Sequence, residues 1–222
     1  QLSGISIVGV ATGQVEFGGN IAHRDANGNL VYSAAGLTGS ARFSQLNLRL
    51  EDTPINAVEP VAIRFDTREV VIESARFAGG GSNLTVAGTK ALAESGVNNL
   101  SIDGRINLSL LNVFPQIASG DTFFGGFADV SIRLAGPNSA ARLSGTATLD
   151  NASFATFVGS DRLMFERLQG IIRFASNQVQ VDRVSGFLGG GEFVASGGAV
   201  LGSDLRPDSF RFDLTGNNIT VP

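Results

Sequence analysis

Apolar side chains recur at every second position along most of the chain: Leu46, Leu48 and Leu50, then Val61, Ile63 and Phe65, then Ile106, Leu108 and Leu110, then Val130, Ile132 and Leu134. Period two is the repeat of a β-strand, whose successive side chains point to opposite faces, so each run predicts a strand with one apolar and one wet face. The same pattern predicts strands at Leu84 and Val86, Leu100 and Ile102, Ile172 and Phe174, Val179 and Val181, and Phe210, Phe212 and Leu214. Turn-forming clusters separate them: Asp25–Asn29 (DANGN), Gly79–Asn83 (GGGSN), Gly136–Ser139 (GPNS), Gly189–Gly191 and Gly216–Asn218. Two stretches admit a helix. Leu108–Ile117 is held to a turn or two by Pro115, and Ala91–Ser95 is very short. The pattern gives about fifteen strands and almost no helix, an all-β protein.

The chain also repeats itself. Leu37–Phe43 (LTGSARF) matches Leu143–Leu149 (LSGTATL) at an offset of 106, and Ile63–Ile72 (IRFDTREVVI) matches Ile172–Val181 (IRFASNQVQV) at 109. Phe77–Gly88 (FAGGGSNLTVAG) matches Phe187–Gly198 (FLGGGEFVASGG) at 110. The repeat of about 110 residues spans 37–92 and 143–201, with roughly seven strands per unit. That is too long for one coil of a simple β-helix and points to multi-strand modules. Both ends of the chain fall inside the strand pattern without a polar cap, so 1–222 is expected to be one elongated β segment cut from a longer array.

A sheet with one apolar face must cover it, and no helices are predicted to do so. Complete closure gives a barrel or sandwich; partial closure leaves a U-shaped trough, and the pattern fits either. Fifteen strands at about 4.8 Å would extend for roughly 70 Å. The inward candidates, which line the groove if it is open, begin with Leu48, Ile63, Phe65, Leu84 and Val86. They continue through Leu100, Ile102, Ile106, Leu108, Val130, Ile132, Leu134 and Leu149, and end with Phe165, Ile172, Phe174, Val181, Phe210, Phe212 and Leu214. Phe193 belongs with these phenylalanines, which either line a lipid trough or fill a closed core.

Composition narrows the function. Charged residues are 16%, Gly numbers 29 and Phe 16, with one Tyr and no Trp. Apolar mass without ring hydroxyls or indoles suits a dry interior, and it argues against an outer-membrane barrel with aromatic girdles. The net charge of −4 leaves no basic footprint for nucleic acid. With no cysteine, disulfides, thiolate metal sites and cysteine nucleophiles are excluded. No run approaches the ~18 apolar residues of a membrane-spanning helix, and the N-terminus lacks a signal-peptide pattern. The single histidine, His23, reads as a solvated turn residue. Asp25–Asn29 reads as a hairpin through Asn27-Gly28 rather than a calcium loop, for which the downstream Glu is missing. The triple glycines are followed by no Lys and no helix start, so they read as turns or bulges rather than phosphate sites. Asp103, Asp129, Asp150, Asp182 and Asp213 alternate with apolar neighbours and belong on the wet face. No catalytic constellation, metal set or cofactor motif is visible, so the chain is read as a non-enzyme.

The module Leu143–Leu149, Asn151–Phe154, Leu168–Phe174, Asn177–Val181 and Phe187–Gly198 resembles the C-terminal region of the TamB family, within the wider AsmA-like group. The resemblance covers Leu37–Val221, and Gln1–Ala35 only in general style. It implies a taco-like β-sheet with a hydrophobic interior, in the periplasm of a two-membrane bacterium, within a parent protein anchored in the inner membrane. It further implies phospholipid acyl chains as cargo moving between the membranes, and support of outer-membrane protein assembly beside a barrel partner of the TamA or BamA type. The alternative expectation is a structural or adhesive β-solenoid of a secreted surface protein, with a closed core and no cargo.

Overall fold

The structure is a computed structural model describing residues 7–20, 22–32, 36–50, 53–113, 122–202 and 207–220. It is all-β. The strands are β1 (Ile7–Gly19), β2 (Ala22–Arg24), β3 (Leu30–Tyr32), β4 (Leu37–Leu50), β5 (Thr53–Ala57), β6 (Val61–Phe65), β7 (Glu69–Gly79) and β8 (Ser82–Ala91). They continue as β9 (Val97–Asn107), β10 (Phe123–Pro137), β11 (Arg142–Val158), β12 (Asp161–Ser176), β13 (Gln178–Leu188), β14 (Gly191–Leu201) and β15 (Pro207–Asn217). Thirteen of them form one antiparallel sheet, and β2 and β3 form a separate hairpin.

The sheet is a meander. β1 pairs with β4, and from β7 to β15 each strand pairs with the next. β5 and β6 share one place in the order: β5 pairs one half of β4 and β6 the other, with Val58–Pro60 between them. The sheet therefore has twelve strand positions rather than fifteen, about 55 Å across at ~4.8 Å per strand.

Opposed residues in an antiparallel pair share a face, so the registers trace rows across the sheet. One row runs Ala41, Ile63, Ile72, Gly88, Leu100, Leu134, Leu143. Another runs Leu84, Gly104, Val130, Ala147, Ile172, Val181, Gly197, Phe212. Glycine stands between large side chains in each. The opposite face carries the charges: Arg105 pairs with Asp129 and Asp150, Arg64 with Glu73 and Arg173 with Asp182. Asp103, Asp129, Asp150, Asp182 and Asp213 are all exposed.

The two repeated segments carry one pairing scheme. Ala41–Ile63–Ile72–Gly88–Leu100 in the first corresponds to Ala147–Ile172–Val181–Gly197–Phe212 in the second. The hairpins turn on Gly80-Gly81 and Gly189-Gly190, with φ of 56° and 81° in the first and 55° and 85° in the second. This sets the last match at 109 instead of 110.

Several local expectations shift. Strand β9 stops at Asn107, and Leu108 and Leu110 lie in a 3₁₀ helix (Leu108–Val113). The Asn107 side chain accepts from the Ser109 amide at 3.0 Å, which turns the chain out of the ladder. The remainder of the helix considered there, from Phe114, lies outside the described residues. No helix forms at Ala91–Ser95: Ala91 ends β8, and a tight turn follows in which the Gly96 amide donates to the Ala93 carbonyl at 3.0 Å. Gly216 and Asn217 stay in β15, paired with Phe193 and Glu192, instead of turning. Asp25–Asn29 is the predicted hairpin: Asp25 Oδ1 accepts from the amides of Asn27 and Asn29 at 2.9 and 2.8 Å. His23 sits in strand β2 of that hairpin.

Candidate functional site: an apolar concave face

Among the described residues fifteen apolar ones are buried, of which seven are alanines and one, Phe193, is a phenylalanine. The exposed surface of 13378 Å² compares with about 9,600 Å² for a compact monomer of 23.0 kDa. Many large side chains of the apolar face stay partly exposed. Its outermost strands are the most open: Val15 and Phe17 on β1 are 52% and 72% exposed, and Phe210 on β15 is 75% exposed.

A cavity of about 420 Å³ lies on this face across β10 to β15. One wall is a ladder of four rings. Phe124 lies 5.4 Å from Phe154, Phe154 5.9 Å from Phe165, and Phe165 meets Phe193 edge-on at 5.6 Å. Phe165 and Phe193 reach each other across β13 because the intervening row position is Gly186; a Cβ there would meet Leu168 and Phe193. The other wall is Leu149, Ile172, Val181, Phe212 and Leu214, and Leu108 closes in from the 3₁₀ helix. Apart from Ser153, every lining side chain is apolar. Such a site offers shape and dispersion contact and no reactive group. Its volume is within the ~300–1,000 Å³ of small-molecule sites.

The ladders are interrupted in several strands. Pairing slips at Ser44 in β4, after Ile72 in β7, near Asn151 in β11, near Arg167 in β12 and after Val181 in β13. Bulges of this kind bend the strand that carries them and increase its twist. Asn151 and Arg167 both take φ of 49°, the left-handed conformation that lets one residue drop out of the ladder. Arg167 stacks on the Phe187 ring, 3.8 Å from its centroid.

Seven of the twenty sequence candidates meet at the cavity: Leu108, Leu149, Phe165, Ile172, Val181, Phe212 and Leu214. The registers set Leu48, Ile63, Phe65, Leu84, Val86, Leu100, Ile102 and Ile106 on the same face. Val130, Ile132, Leu134, Phe174 and Phe210 share it but lie away from the cavity. Sequence reasoning missed Phe124, Phe154, Leu168 and Val184. Strict alternation from Leu149 points Ala152 and Phe154 to the wet face, and only the bulge at Asn151 restores them; an Asp-Asn pair inside a strand run was the available signal.

It also missed a polar cluster at one rim of the apolar face. Lys90, in row with Val70, donates to Asn98 Oδ1 at 3.0 Å and Asn138 Oδ1 at 2.7 Å. Asn98, 1% exposed, accepts from the Ala91 amide at 3.1 Å and donates to the Gly136 carbonyl at 3.2 Å. Among the described residues no helix is long and apolar enough to cross a membrane. Comparison with known proteins gives no match: no family model, no curated protein and no solved structure matches the chain.

Proposed function

We propose that this chain is a lipid-handling β-trough that holds phospholipid acyl chains along its apolar face and does no covalent chemistry. The observation carrying this reading is an apolar face of large, partly accessible side chains, deepened into a 420 Å³ apolar cavity, on a sheet whose ion pairs lie on the other face. Each methylene shielded there is worth about 0.8 kcal/mol, so one long acyl chain gains on the order of 10 kcal/mol before entropy costs. No headgroup pocket is needed for such contact, and continuous rows let a tail slide from one strand position to the next.

The resemblance of 37–221 to the TamB and AsmA-like proteins supplies the setting. In this reading the trough stands in the periplasm of a two-membrane bacterium, its parent held in the inner membrane. It passes phospholipid between the membranes and supports outer-membrane protein assembly next to a barrel partner.

Native mass spectrometry with lipid extraction tests the reading. Phospholipid is expected to co-purify with the wild-type chain and to be lost on Ile172→Glu, which places a carboxylate in the cavity wall, while Arg173→Glu on the opposite face retains it. A stable wild-type chain free of lipid, and unable to take it up from vesicles, contradicts the proposal and favours a structural or adhesive β-solenoid.

A further inference from the structure

The rim cluster breaks the rule of the face on which it stands. Lys90, Asn98 and Gly136 lie side by side near the ends of β8, β9 and β10, one row beyond Gly88, Leu100 and Leu134, and so on the apolar face. The repeat gives this row a counterpart. Val70–Lys90–Asn98 in the first segment corresponds to Val179–Ala199–Phe210 in the second, where the row is wholly apolar. The pairing scheme therefore completes the row without a polar group, and the amine and amide are particular to this part of the rim. The half-buried ammonium donates to neutral oxygens: Asn98 Oδ1, Asn138 Oδ1 and the Ala91 carbonyl, at 3.0, 2.7 and 3.0 Å. Among the described residues no carboxylate is ion-paired with it, and its neighbours in and beside the row, Val70, Gly88, Asn98 and Gly136, carry no charge. The amides hold the ammonium in place and leave its charge unbalanced beside apolar surface, where an opposite charge is attracted more strongly than in water.

We infer that this cluster seats the phosphodiester of a phospholipid whose tail runs inward along the apolar rows. The inference rests on the acyl-chain reading above and adds a headgroup to it. One ammonium matches the single negative charge of a phosphodiester, and a charge-assisted bond to it is stronger than one to an amide oxygen. Asn138, half-buried in the turn after β10, is the partner that gives way. When the ammonium exchanges Asn138 Oδ1 for a phosphate oxygen, the Asn138 amide turns to offer its Nδ2 to the same group. Asn98, 1% exposed and tied to the Ala91 amide and the Gly136 carbonyl, stays fixed and keeps the amine at the rim. Inward from Gly136 the same face of β10 presents Leu134, Ile132 and Val130, with Leu100 and Ile102 beside them on β9. Val130 stands in the row of Ile172, six residues from Gly136. That is about 20 Å along the strand, comparable with about 15 Å for one tail in half of a bilayer core plus its glycerol linker. A lipid seated at Lys90 thus brings the end of its tail to the cavity wall. Tail contact by itself does not sort lipids by headgroup; this seat favours a phosphorylated lipid over a neutral one with the same tails.

The chain is incubated with phosphatidylglycerol vesicles that carry a minor share of diacylglycerol with the same acyl chains. It is then re-isolated, and the ratio of the two lipids bound to it is compared by mass spectrometry with their ratio in the vesicles. The wild-type chain is expected to enrich phosphatidylglycerol about tenfold. Lys90→Gln is expected to lose that enrichment while still carrying diacylglycerol, and Lys90→Arg to keep it. Arg133→Gln, on the opposite face of the same strands, is expected to behave as the wild type. A wild-type chain that takes the two lipids in vesicle proportion overturns the seat and leaves the trough standing, as does enrichment that survives Lys90→Gln. A chain that takes up neither lipid overturns both.

Discussion

At Gly145, with φ of 124°, an added Cβ would run into the Ser131 carbonyl of the neighbouring strand; at Gly104, with φ of 127°, it would run into that of Asn83. Both glycines stand opposite a large inner residue, Ile132 in one case and Val130 in the other. Gly145→Ala is expected to cost about 1–3 kcal/mol in urea denaturation, through backbone conformation rather than lost contacts. A second residue-level prediction concerns pH. Backbone amides hold the Asp25 carboxyl below its usual 3.8, chiefly that of Asn29, and those of Arg68 and Glu69 do the same for Asp66. A lowered folded value means that the turn is favoured above the unfolded value and loses that support as pH falls through the folded one. The protection of the Asn29 and Glu69 amides, taken relative to the unstructured exchange rate at each pH, is expected to hold from neutral pH to about 4 and to fall below it; unchanged protection contradicts the carboxylate's part in the turn. The Asp25 turn was legible in the sequence because Asp and Asn-Gly act within a few residues of themselves, whereas the Asp66 turn was not among those read. The strained glycines were not, since what surrounds Gly145 belongs to another strand.

At the scale of elements, period two identifies the strands, and the bulges decide where their side chains go. The alternation at Leu46, Leu48 and Leu50 and that at Phe43, Ala41 and Gly39 differ in parity because Ser44 is skipped in the ladder. Each run was readable by itself, while the slip between them depends on the partner strand. Asn151→Gly suits a φ of 49° and is expected to leave stability within about 1 kcal/mol of wild type. Deleting Asn151 is expected to turn Ala152 and Phe154 outward, breaking the ring ladder and cooperative unfolding with it; near-UV circular dichroism and a urea transition report both. The rim cluster makes a separate prediction. Asn98→Ala leaves the Ala91 amide without its acceptor and Lys90 with one fewer, so a loss of about 2–3 kcal/mol is expected in urea denaturation. Its local signal in the sequence, Lys90 within an apolar alternation, reads as an exception until the turn after β10 brings Asn138 beside it.

Across the whole molecule, the described strands form one antiparallel sheet of twelve positions, with the apolar rows on one face and a 420 Å³ apolar cavity among them. All-β architecture and the repeat were legible because both are one-dimensional patterns. Whether the sheet closes depends on accumulated twist and bulge placement, which no single strand encodes, and so barrel and trough were equally open from the pattern alone. Three neighbouring pairs allow the open face to be read directly: Ile63 and Arg64, Ile132 and Arg133, and Ile172 and Arg173 each present an apolar side chain to one face and a charged one to the other. The most direct measurement places a photoreactive amino acid at each of these six positions in the purified chain, with phospholipid vesicles carrying a labelled acyl chain. Label is expected at Ile63, Ile132 and Ile172, strongest at Ile172 in the cavity wall, and at background at the three arginine positions. Equal labelling on both faces, or none on either, contradicts an acyl-chain trough.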